Sequence, residues 1–326
     1  MTDPTPVGFL LHPASPLHDT GWGHPEHQGR LRSLASAVGK DLLALHDKVI
    51  QVEAGEATAA DLLRVHSSAH LDLIRESAER AKREATLIRL DPDTVVSPAS
   101  WAAAVGSSGA LITAVEAVAE GTLASAFVAT RPPGHHSTPD RAMGFCLVNH
   151  VAVATRWLQA TDRAERVLIV DWDVHHGNGT QDVFYADGTV FYMSLHQWPH
   201  YPGSGSSDER GEGQGEGWTL NVPLPEATPA DEYRRHFSDA LTEALAVCRP
   251  HFVLISAGFD VMAGDPLGGM LLEPEDLHAL TREIVDQVED GVGIVAALEG
   301  GYDPARTGLG TAQVLRALAG IDLEGC

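Results

Sequence analysis

The chain has 326 residues, 44% hydrophobic and 21% charged, with 32 glycines and 19 prolines; this is a globular, loop-rich composition and excludes a disordered or fibrous class. Forty-five acidic against 22 basic residues give a formal charge of −23, which argues against binding nucleic acid and favours cationic ligands such as lysine-rich peptides or polyamines, although solubility alone also explains it. The sequence has no uninterrupted apolar run long enough for a membrane span and no basic, apolar leader, while three scattered cysteines (Cys146, Cys248, Cys326) suit a reducing cytoplasm without disulfides.

In chain order, β-rich runs at 7–12, 48–53, 124–130, 166–173, 189–196, 218–224, 251–258 and 293–301 predict strands. Most are continuously apolar, as expected for parallel strands covered on both faces. Between them, helical periodicity predicts helices over 98–120, 146–160, 229–248, 274–290 and 305–319, several opened by proline at the first turn. The Gly-rich acidic stretch 203–217 reads as a mobile surface loop. These elements imply one α/β domain over residues 1–326: an open, mostly parallel sheet of about eight strands with helices on both faces.

Ligands bind at the carboxyl ends of strands in such sheets, and the unusual residues of this chain sit there. "DWDVHHGNGT" (171–180) places Asp171, Asp173 and His175 at alternate positions, which on extended chain share one side. Asp173 and His175 can chelate one divalent cation, and Asp260, ending the apolar run "LISAGFD", supplies a third ligand. Two carboxylates and one imidazole form a harder set than most zinc sites, so Fe(II) stays open beside Zn(II). After the third apolar run, "RPPGHH" offers His135 and His136 as a proton relay beside a metal-activated water, with Asp171 and Asn178 as candidate partners for their far nitrogens. Tyr302 in "LEGGYD" has a phenol suited to polarising a carbonyl, and Phe145 and Tyr201 are candidate walls of an apolar channel.

Together, "RPPGHH", "GFC", "DWDVHHGNGTQ", "SLH", "SAGFDVMAGDPLGG" and "LEGGY" resemble the histone deacetylase family, nearest its class II and bacterial amidohydrolase-like members, in the family's order along nearly the whole chain. The resemblance implies the arginase/deacetylase fold and metal-dependent hydrolysis of an N-acyl amide. It implies Asp173, His175 and Asp260 as zinc ligands, His136 as general base and acid, His135 as electrostatic support and Tyr302 as the carbonyl-polarising phenol. Phe145 and Tyr201 match the channel walls, Gly144 and Gly301 its backbone floor, and Arg30 the acetate exit path. A structural potassium site is implied at Asp171, Asp173, His175, Ser194 and Leu195, and a second at Phe184, Asp187 and Val190.

Two positions bear on activity and substrate. Asn178 stands where many class I members of the resembled family carry Asp, so the partner of His136 is neutral and its influence on that imidazole weaker. Leu267 stands where polyamine-selective relatives can carry an acidic gatekeeper. The expected substrate is therefore an acyl-lysine protein or peptide, with acetylated polyamine second. A ureohydrolase with two metals and a non-catalytic acyl-amide binder are the remaining readings, and homo-oligomerisation stays open.

Overall fold

The structure, a computed structural model, describes residues 5–323, so Cys326 lies outside the described residues. The strands are β1 (Val7–Leu10), β2 (Val49–Val52), β3 (Ile88–Arg89), β4 (Val95–Val96), β5 (Ser125–Val128), β6 (Val167–Asp171), β7 (Val190–Gln197), β8 (Thr219–Leu224), β9 (Phe252–Ala257) and β10 (Gly293–Leu298). The helices are α1 (Gly29–Lys40), α2 (Leu42–Leu45), α3 (Ala59–Leu62), α4 (Ser68–Glu84), α5 (Ser100–Ala119), α6 (His150–Ala160), α7 (Asn178–Phe184), α8 (Ala230–Cys248), α9 (Pro274–Gln287) and α10 (Pro304–Leu318).

Eight strands form one parallel sheet in the order β2-β1-β5-β10-β9-β6-β7-β8, each overlapping an expected run. Alternation along the strands divides the core in two. Leu168, Val170, Val253 and Ile255 face the layer containing α1, α8, α9 and α10; Val167, Ile169, Phe252 and Leu254 face the layer with α4, α5 and α6. Both faces are thus covered, which is why the strand sequences read as apolar runs.

Helix α5 is long and apolar enough to cross a membrane by length and composition, although its sequence is not an uninterrupted apolar run. Most of its span is buried, with Ala104, Leu111 and Val115 in the core against the sheet, as in a central helix of a covered sheet.

Three local expectations need correction. The helix expected from 146 begins at His150, where the Asn149 side chain accepts the Ala152 N–H; the preceding residues form a site loop instead. Strand β6 stops at Asp171, so Asp173 and His175 lie on irregular chain rather than on an extended continuation. The 203–217 segment is anchored: Ser204 bonds His176, the Gly205 carbonyl meets His196, and Glu209 accepts from Gln181 and from the Gly205 and Ser206 amides. Its polar side chains find tertiary partners, a property that composition alone cannot display.

Candidate active site

Four strands adjacent in the sheet, β5-β10-β9-β6, deliver the chemistry-bearing segments to one rim. His135 and His136 follow β5, Asp173 and His175 follow β6, Asp260 follows β9 and Tyr302 follows β10. This is the carboxyl-end crevice expected of an open parallel sheet.

One cluster joins Asp173, His175 and Asp260, all buried, whose ligand atoms lie within 4.8 Å of one another. His175 Nδ1 is 3.0 Å from Asp173 Oδ1 and 3.3 Å from Asp260 Oδ2. Asp260 Oδ2 is buried and has no hydrogen-bond donor, while its Oδ1 accepts the Val174 N–H at 2.9 Å. A Cβ at Gly300 would lie 2.0 Å from that Oδ2 and 2.6 Å from Asp173 Oδ2, so glycine keeps the space clear. An orphaned buried carboxylate oxygen beside an imidazole nitrogen and a second carboxylate is a donor set that fits a divalent cation. Burial and the neighbouring Asp173 push Asp260 up to about 7, and the two carboxylates overcome burial to hold His175 up at about 10.

The histidine pair sits beside this cluster, ring centroids 4.1 Å apart. His135 Nδ1 is 3.0 Å from Asp171 Oδ2, which also accepts the Tyr192 hydroxyl at 3.0 Å. Burial opposes charge on His135, yet Asp173, Asp171 and Glu299 together hold its pKa well above the usual range. His136 Nδ1 is 2.8 Å from Asn178 Oδ1. Burial, reinforced by the positive fields of His135 and His175, holds its pKa well below the usual range, so it is neutral at pH 7. The Asn178 Oδ1 contact assigns the Nδ1–H tautomer and leaves Nε2 as the basic atom.

Channel walls arise from local backbone. Met143 and Cys146 exchange both backbone hydrogen bonds around Gly144 and Phe145, which have φ of +55° and +67°. This is a tight turn of the mirror-image type, and it holds Phe145 in a conformation that strains a side-chain-bearing residue by about 1–3 kcal/mol. A Cβ at Gly144 would lie 2.4 Å from the His136 ring, so the turn passes close against that imidazole. Phe145 meets Tyr302 edge-on at 5.6 Å, and Tyr201 meets His136 edge-on at 5.1 Å. A cavity of about 590 Å³ includes His136, Gly144, Phe145, His175, Tyr201, Leu267 and Tyr302 in its lining. Asp93 and Glu226 line it as well.

Gly301, expected at the channel floor, is not among the residues lining that cavity. Its carbonyl turns away and accepts Arg30 Nε at 2.7 Å. Arg30 is fully buried, its guanidinium 5.1 Å from the centre of the Tyr302 ring, with further bonds to Glu26 and the Glu299 carbonyl. Burial pushes the Tyr302 phenol well above the ordinary range despite Arg30, so it remains a proton-bearing donor.

His176 bonds Ser204 at 2.9 Å and Gln181 at 3.0 Å, so both of its ring nitrogens have side-chain partners outside the Asp173–His175–Asp260 cluster. For the implied potassium positions, Ser194 pairs with Asp171 across β6 and β7, with Leu195 next in line. Phe184 and Asp187 close one turn through Asp187 N–H and the Phe184 carbonyl at 2.9 Å, just before Val190.

The chain matches the Histone deacetylase domain over residues 24–318. It belongs to the histone deacetylase family. It is 33% identical over 325 residues to a "Probable deacetylase" of Archaeoglobus fulgidus, covering 98% of this chain and 88% of the relative. It is 36% identical over 317 residues to the "Histone deacetylase-like amidohydrolase" of Pseudomonas aeruginosa, covering 96% and 80%. The crystal structure of the HDA15 HD domain superposes with a TM-score of 0.91 at 33% identity, over 98% of this chain and 89% of that one. The open eight-stranded parallel sheet is accordingly the histone deacetylase fold.

The structure adds residues that sequence reasoning did not single out. Glu299 accepts the backbone N–H groups of Gly134 and His135 at 2.6 and 3.1 Å, holding the histidine loop from below. Glu26 pairs with both Arg30 and Arg131 in full burial, and Arg131 anchors the start of that loop. Removing one charge from such a buried cluster costs about 3–5 kcal/mol, because the remainder is left uncompensated. One signal was available for Glu299: a carboxylate ending an apolar run needs a partner.

Proposed function

We propose that the chain hydrolyses the N-acyl amide of acyl-lysine side chains, acetyl-lysine most simply, with Asp173, His175 and Asp260 holding a divalent metal, zinc before Fe(II). The observation that carries this reading is one cavity lined by His136, His175 and Tyr302 at the reacting end and by Phe145 and Tyr201 at its sides. Two aromatic walls accept an unbranched methylene chain and bring its terminal amide to the polar floor. The bound metal supplies Lewis acidity toward the acyl oxygen and lowers the pKa of water.

The protein's own groups do the rest. His136, neutral and held by Asn178 through Nδ1, takes the proton of the attacking water on Nε2. The Tyr302 phenol donates a hydrogen bond to the acyl oxygen and to the charge that develops there. His136 then returns its proton to the departing amine nitrogen; amine and acetic acid leave, the acid ionises to acetate in water, and the imidazole is neutral again. His135, kept positive against Asp171, lowers the basicity of its neighbour and stabilises negative charge at the floor. Arg30, behind Tyr302, is proposed on the acetate exit side, and the Asp171–Ser194–Leu195 and Phe184–Asp187–Val190 segments as structural potassium sites.

Acetylated polyamine is the second reading. Asp93 and Glu226 at the cavity favour a cationic substrate, whereas Leu267 contributes no carboxylate at its own position. We expect higher kcat/KM on an acetyl-lysine peptide than on acetylputrescine, and loss of both activities with a chelator, restored by Zn(II). Preference for acetylputrescine would reverse the order of substrates, and activity indifferent to the chelator would sink the metal-dependent reading.

A further inference from the structure

One buried carboxylate grips both the catalytic tyrosine and the rim of the channel. Asp265 Oδ2 accepts the backbone N–H of Tyr302 at 2.6 Å and of Asp303 at 3.2 Å. Its Oδ1 accepts the N–H of Leu267 at 2.9 Å, and Leu267 lines the cavity. The Leu267 carbonyl is held in turn by His200 Nε2 at 2.9 Å, whose ring stacks on His175 at 5.0 Å between centroids. The two segments are 37 residues apart in sequence and belong to different strand ends.

Tyr302 stands at a point where the chain itself provides little restraint. Gly300 and Gly301 precede it, and Asp303 immediately caps α10 through the N–H groups of Ala305 and Arg306. The orientation of the tyrosine backbone between that glycine pair and the helix start is set by the N–H bond to Asp265 and by the Arg30 bond to the Gly301 carbonyl. A phenol hydroxyl lies about 6.5 Å beyond its Cα, so a backbone tilt of about 10° moves it by about 1 Å, a displacement that costs on the order of 100-fold in rate.

We propose that Asp265 is a positioning residue for the deacylation, setting the Tyr302 phenol and tying it to the rim residue Leu267 through one carboxylate. This rests on Tyr302 acting on the acyl oxygen. Asparagine at this position keeps the shape but has a single acceptor oxygen, so it can hold only one of the two segments.

The test is a double-mutant cycle of Asp265→Asn with Tyr302→Phe on the full chain, with kcat, KM, metal content and amide exchange measured. Asp265→Asn should lower kcat by ~10- to 100-fold with KM changed less than ~3-fold, metal content intact and the Tyr302 or Leu267 amide exchanging at least ~10-fold faster. In the Tyr302→Phe background the same change should alter kcat by no more than ~2-fold, because there is no phenol left to place. Equal losses in both backgrounds would overturn the coupling while leaving the role of Tyr302 standing. Wild-type turnover of Tyr302→Phe alone would remove that role and the proposal with it. If Asp265→Asn does not fold, Asp265→Glu, which keeps the charge but shifts the acceptors by one methylene, carries the same cycle and the same two outcomes.

Discussion

The two arms of the histidine pair begin from the same residue type and end in opposite charge states. His135 faces the carboxylate of Asp171, His136 the amide of Asn178, each at hydrogen-bond distance. Both are buried, and burial alone would leave both neutral. Carboxylates overcome that penalty for His135; no charge does so for His136, which also meets the positive field of its neighbour. One arm thus stores positive charge and the other keeps a free lone pair, a division of labour that a general base needs.

The largest test of this asymmetry removes the neutral arm. His136→Ala should lower kcat by ~10²- to 10⁴-fold with metal content retained, measured by turnover beside elemental analysis. Next, Asp171→Asn gives both imidazoles an amide partner; His135 loses its hydrogen-bonded carboxylate while Asp173 and Glu299 still face it, and kcat should fall ~10- to 100-fold. The reverse change, Asn178→Asp, gives His136 an anionic partner and so raises its pKa. Because the base must be neutral to act, the acid limb of the kcat/KM profile should move to higher pH, with activity lost at low pH before it is lost at high pH. An unmoved acid limb would break the link between Asn178 and the base. The smallest effect is expected at the neighbouring His176 imidazole, which has no part in the proposed reaction. His176→Ala should keep turnover within ~3-fold but lower stability by ~1–3 kcal/mol, read by thermal melting, since Gln181 and Ser204 lose their partner.

Much of this centre was legible because the chemistry follows local rules. Apolar runs bounded by turn residues marked all eight strands of the main sheet, and the strand-end placement of "RPPGHH", "DWDVHH", "GFD" and "EGGYD" pointed to a common rim. The order of strands was not legible: β10 lies between β5 and β9, a crossing that depends on helices packing on two faces. Helix α4 has a readable start, Ser67 accepting the His70 N–H, although no expected helix covers it. Helix α1 had no such signal; its N-terminus lacks a side-chain cap, and its buried Arg30 looks like a surface residue until Glu26, Glu299 and Gly301 are brought to it. The 203–217 segment misled for a similar reason, since glycine and charge describe a loop's composition but not the partners waiting for Glu209 and Ser204.

By itself the sequence determined the fold class, the set of candidate metal ligands, the histidine pair and the neutral character of Asn178, because each depends on residue type and short spacing. Tertiary structure alone decided which imidazole bears the charge, that Gly301 turns its carbonyl to Arg30 rather than to the cavity, and that Asp265 holds Tyr302 and Leu267 together. The physical reason is common to all three. Electrostatic fields and buried hydrogen bonds act over a few ångströms of space, and the chain crosses those distances from positions tens to hundreds of residues apart.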